Sequence, residues 1–108
     1  MTEGRRYVVL HHTGYGQPHF DLMLETDTIG PLLTWRLSEW PPADGGVAAI
    51  PLPPHRRTYL TFEGPVSGGR GDVRRVESGT YDTIEVSASA VRIVLGDQSF
   101  TLPKVTKA

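Results

Sequence analysis

The chain has 108 residues, of which 38% are hydrophobic and 21% charged, and its net charge is −1. That content suits one modest core and is too short for two, so residues 1–108 are read as a single globular domain. With no cysteine, disulfide scaffolds, thiolate metal sites and thiol catalysis are excluded, and the near-neutral balance excludes a chain drawn as a whole onto nucleic acid by charge. Twelve Gly and nine Pro favour turns over long helices. No apolar run approaches the length of a signal peptide or a membrane span, so the expectation is a cytoplasmic monomer with no membrane partner.

In chain order, residues 7–12 form a β-rich run closed by turn formers that include Gly14, Gly16 and Pro18. Residues 19–25 then alternate, with His19, Asp21 and Glu25 on one side and Phe20, Leu22 and Leu24 on the other. The two runs read as a hairpin with a wide loop. A third strand is expected over 31–37, with Trp35 as a core anchor. After a Pro/Gly-rich loop at 41–46 comes a short apolar run at 47–50. Pro51, Pro53 and Pro54 then make the approach to His55 stiff and extended.

Residues 59–63 alternate again and predict a strand, ended by Gly64 and Pro65. The Gly68-Gly69-Arg70-Gly71 segment reads as a tight turn needing positive φ rather than a phosphate-cradling nest. Further short strands are expected at 73–76, 80–86, 90–95 and 99–102, with a turn at Gly96-Asp97. No segment carries a helical period. The fold class is all-β, in the form of a small antiparallel β-barrel of short strands.

All four histidines fall in two segments, 11–19 and 55. His19 and Asp21 share a strand face, and the hairpin brings either His11 or His12 alongside; neighbouring residues point to opposite faces, so only one of them joins. Two imidazoles and a carboxylate suit Mn²⁺, Fe²⁺ or Zn²⁺ with open positions for water or substrate. Glu25, further along the same face, is read as solvated. His55, Arg56, Arg57 and Tyr59 form an anion-binding pattern: guanidinium forks match phosphate oxygens, imidazole donates a proton, and a phenol holds another oxygen. Both patterns have ordinary counterparts, a hydrogen-bonded strand and a solvated basic turn.

Taken together, these segments resemble the 3′-phosphoesterase domain of bacterial ATP-dependent DNA ligase D, as a compact stand-alone version. The residues that carry the resemblance are the strand ending in His12, the run His19-Phe20-Asp21-Leu22-Met23-Leu24-Glu25, and Leu33-Thr34-Trp35. To them are added His55 with Tyr59, Phe62-Glu63-Gly64, the Gly-rich loop to Val73, and Gly79-Thr80-Tyr81. The resemblance implies a β-barrel with a groove on one side. It implies metal-dependent, typically Mn²⁺-dependent, removal of 3′-phosphates and 3′-terminal ribonucleotides in non-homologous end joining, with Zn²⁺ a second possible metal. His12, His19 and Asp21 are then the metal ligands, and His55 and Tyr59 contact the scissile phosphate as the catalytic pair. Arg56, Arg57 and Arg70 are the substrate-binding candidates. The implied partners are a nucleic-acid 3′ end and an end-joining ligase. Two positions depart from the family: Met23 and Val47 stand where it carries phosphate-binding arginines. That departure keeps a second function class open, a non-catalytic, metal-stabilised module that binds nucleic acid or protein.

Overall fold

Alternation in the first two runs sets the architecture, because each strand gives one row of side chains to each side of a sheet. A computed structural model describes residues 5–26, 29–41, 49–81, 83–87, 90–95 and 98–103. Val47 and the Gly96-Asp97 turn lie outside the described residues. The strands are β1 (Arg5–Thr13), β2 (His19–Leu24), β3 (Leu32–Leu37), β4 (Ile50–His55), β5 (Gly64–Pro65), β6 (Asp72–Tyr81), β7 (Thr83–Val86), β8 (Ala90–Leu95) and β9 (Gln98–Pro103). Antiparallel pairing gives a six-stranded sheet in the order β4-β3-β2-β1-β6-β5 and a three-stranded sheet in the order β7-β8-β9.

The larger sheet is buried on both faces. On one face Tyr7, Val9, Leu22, Leu24, Trp35, Leu37 and Tyr81 pack with Ile93 of the smaller sheet. On the other, Val8, Leu10, Met23, Leu32 and Val73 pack with Leu60, and Tyr59, Phe62 and Val66 close over them. Each fully buried aliphatic side chain contributes roughly 1.5–3 kcal/mol. The expected Trp35 anchor is in place at 3% exposure.

All-β content is as expected, but neither sheet closes into a barrel among the described residues. The edges explain why. β4 carries Pro51, Pro53 and Pro54, which lack the N–H that closure requires, and β5 is two residues long.

Two local expectations also change. The 59–63 run is not a strand: Arg57–Leu60 forms a 3₁₀ helix, with the Thr61 and Phe62 amides donating to the Thr58 carbonyl. Tyr59 and Phe62 are three residues apart and their rings meet edge-on at 5.8 Å, as a three-residue period requires. Residues 73–76 and 80–81 belong to one strand, β6, which runs through Gly79. Gly79 pairs with Tyr7, and a Cβ there would lie 3.3 Å from the tyrosine ring, so this glycine makes room for an aromatic rather than breaking the strand.

A bulge interrupts the β1–β6 ladder. Val9 pairs with Glu77 but Leu10 pairs with Arg75, leaving Val76 as the extra residue. Val73 therefore pairs with His12 and packs on the second face, whereas Tyr81 packs on the first.

Candidate metal and anion site

Register decides which histidine joins His19. In the β1–β2 ladder His12 lies directly opposite His19, and Leu10 opposite Asp21. Directly opposed residues share a face, and the two imidazoles meet at 4.8 Å between ring centroids. His11 pairs with Phe20 and stacks on its ring at 4.5 Å, with the odd-numbered residues of β1 on the other face. One ligand atom from each of His12, His19 and Asp21 lies within 4.8 Å of the others. Asp21 is 3% exposed and His19 7%.

Hydrogen bonds fix the tautomer of each neutral imidazole. His19 Nδ1 lies 2.9 Å from the Gln17 carbonyl, and His12 Nε2 lies 2.6 Å from the Arg70 carbonyl. A carbonyl only accepts, so both ring nitrogens donate, and the opposite nitrogens carry lone pairs in the neutral rings. Those lone pairs face one carboxylate: His19 Nε2 is 3.3 Å from Asp21 Oδ1 and His12 Nδ1 is 3.6 Å from Oδ2. Asp21 Oδ1 is buried with no hydrogen-bond partner. Three electron-rich groups in so little space repel one another unless a proton or a metal cation stands among them. The second ring nitrogens tied to carbonyls are the usual support of metal-bound histidines. The residues present therefore fit a divalent ion.

The Gly-rich loop supplies one of those supports. Gly68 and Gly69 adopt φ of +77° and +70°, a tight turn as expected. Gly71, at φ +84°, runs against the β1–β2 loop, where a Cβ would fall 2.1 Å from the Thr13 carbonyl oxygen. That approach sets the Arg70 carbonyl over His12.

The ligand cluster opens into a groove of about 640 Å³ that also takes in Met23, Arg36, His55, Arg56, Tyr59 and Arg70. The imidazole of His55 meets the Tyr59 ring edge-on at 5.8 Å, and its Nδ1 donates to the Pro53 carbonyl at 2.9 Å. Arg56 is exposed on the lip. Arg70 lines the groove, with its guanidinium donating to Ser67 through Nε and Nη2.

Arg57 is not among the groove residues. Its guanidinium donates to Glu25 and to the Gly30 carbonyl. Glu25, expected to be solvated, is 8% exposed and clamped by Arg6 as well. The hydrogen bonds from Arg6, followed by those from Arg57, outweigh burial and hold the Glu25 carboxyl down at about 2.

Sequence reasoning missed Arg36 and Tyr15. Arg36 follows the inward Trp35, so alternation places it on the opposite face; that this is the face of Asp21 needs the β2–β3 register. Tyr15 lies over His12 with ring centroids 6.3 Å apart.

No known protein family and no curated protein matches the chain. The resemblance to the ligase D domain thus rests on the residues that carry it. No helix among the described residues is long and apolar enough to cross a membrane.

Proposed function

We propose that the chain is a divalent-metal-dependent phosphoesterase acting on 3′-phosphate or 3′-ribonucleotide ends of nucleic acid, in DNA end joining. One observation carries the reading: His12 and His19, each locked by a backbone carbonyl, turn their remaining nitrogens onto the buried, unsatisfied Asp21. The nitrogen- and oxygen-donor set suits Mn²⁺, Fe²⁺ or Zn²⁺, and among these the resemblance to the ligase D domain favours Mn²⁺. When bound, such an ion polarises a phosphoryl oxygen and acidifies water.

The remaining groove residues have separate tasks. His55 has its Nδ1 proton committed to Pro53, so it acts from Nε2: the imidazolium gives a hydrogen bond or proton from that nitrogen to the leaving oxygen, and the neutral ring left behind carries a lone pair there. The Tyr59 hydroxyl holds a phosphate oxygen, and Arg56 on the lip screens the incoming charge. A partner ligase would join the ends so cleaned.

Met23 favours a second reading. It is 1% exposed and lines the groove where the resembled family carries an arginine, as a module that binds metal and nucleic acid without turnover would allow. Incubation with Mn²⁺ and DNA primers ending in a 3′-phosphate or a 3′-ribonucleotide separates the two. Turnover that disappears in Asp21→Ala supports the enzyme. Binding without turnover supports the module.

A further inference from the structure

We propose that Arg36 is the anion-binding arginine of this groove, holding a phosphate oxyanion beside the His12–His19–Asp21 cluster. The proposal rests on the phosphoester reading for its ligand and on separate observations for its residue.

Arg36 is the cross-strand partner of Asp21 and stands on the groove face. Its Nε is buried with no hydrogen-bond partner. Among the described residues, the other buried side-chain atom in that condition is Asp21 Oδ1. No ion pair joins the two residues, whereas Asp21 reaches both histidines. A desolvated guanidinium N–H without an acceptor is costly, and more so because it is charged. An acceptor from outside the protein removes that penalty, and a tetrahedral oxyanion matches the guanidinium fork.

The neighbouring arginines are differently employed. Arg57 is held by Glu25, and Arg70 donates to Ser67. Charge balance points the same way. Asp21 offsets Arg36, and with Arg56 and Arg70 on the same groove a divalent cation on the cluster leaves a strong positive excess for a ligand. That balance fits a dianionic terminal phosphate better than a singly charged diester.

The test compares wild type, Arg36→Gln and Arg36→Lys by calorimetry, with and without Mn²⁺. The probes are inorganic phosphate and single-stranded oligonucleotides ending in a 3′-phosphate or a 3′-hydroxyl. Expected for Arg36→Gln is a roughly ten- to hundredfold loss of affinity for the phosphate-bearing probes. Arg36→Lys should fall between, and binding of the 3′-hydroxyl oligonucleotide should stay unchanged. A loss seen for both inorganic phosphate and the 3′-phosphorylated strand assigns the site to the phosphate group itself. A loss confined to the strand assigns it to a nucleic-acid end. Affinities within threefold of wild type for both probes, in variants whose melting shows them folded, overturn the proposal. Mn²⁺ affinity is read separately by electron paramagnetic resonance: a wild type that binds no Mn²⁺ sinks the metal reading, while the metal-free phosphate comparison still judges Arg36.

Discussion

Gly71 passes so close to Thr13 that a Cβ on the glycine would lie 2.1 Å from the Thr13 carbonyl oxygen. This contact joins the Gly-rich loop to the loop leaving β1, and through the Arg70 carbonyl it orients His12. Gly71→Ala is therefore expected to destabilise the fold by about 2 kcal/mol or more and to weaken Mn²⁺ binding. Gly69→Ala meets nothing within 4 Å and strains only its φ of +70°. It should cost about 1–2 kcal/mol and leave metal affinity alone. Urea unfolding and Mn²⁺ titration of both variants check the contrast.

Asp21 is arranged for a ligand at the expense of the empty fold. Its buried oxygen faces lone pairs, so Asp21→Asn, which offers an N–H donor, should leave the metal-free melting temperature equal to or above that of wild type. Saturating Mn²⁺ should raise the wild-type melting temperature and leave the variant where it was. A metal-free variant that melts well below wild type contradicts the account.

His11 and His12 are adjacent in sequence and opposite in function. His11→Ala removes a ring stacked on Phe20 and should cost stability, about 1 kcal/mol, with Mn²⁺ affinity intact. His12→Ala should lower that affinity by at least tenfold. Parallel metal titrations of the two variants decide it.

Acid should weaken the fold through Glu25. Its carboxyl is held at about 2 against an ordinary 4.5, so its contribution is complete above 4.5 and is lost as pH falls from there through 2. The Arg6 side chain is 53% exposed and screened by solvent, so the contribution is on the order of 1–2 kcal/mol. Glu25→Gln should lower stability at neutral pH and flatten the acid limb of a denaturation series.

Alkali acts through Tyr7. Burial, reinforced by the hydrogen bond it donates to Glu77 at 2.5 Å, pushes its phenol well above the usual range. The neutral phenol is the stabilising form, so its contribution is complete below pH 10 and declines as pH rises beyond it. Trp40 donates to the same carboxylate, so its fluorescence reports the change. Tyr7→Phe should show a shallower loss of stability above pH 10.

Sequence alternation alone places His19 and Asp21 on one face, and that part of the site was legible. His12 over His11 needed the hairpin register, which depends on how the 14–18 loop is wound. Arg36 needed a second register, between β2 and β3. The 3₁₀ helix was hidden because Tyr59, Leu60 and Phe62 fit a two-residue and a three-residue period equally well over so short a stretch. Barrel closure could not be read from strand count; it depends on whether the edge strands can donate hydrogen bonds, and β4 is poor in donors.

The bulge at Val76 divides β6 by consequence as well as by geometry. Residues 73, 75, 77, 79 and 81 would line up on one side of a regular strand. The extra residue instead gives Val73 to the groove side and Gly79 and Tyr81 to the main core. Substitutions before Val76 act on the groove wall and the second core, where Val73 is 2% exposed, and those after it act on the main core, where Tyr81 is 4% exposed. One strand thus answers to two separate cores, each half under its own packing constraints.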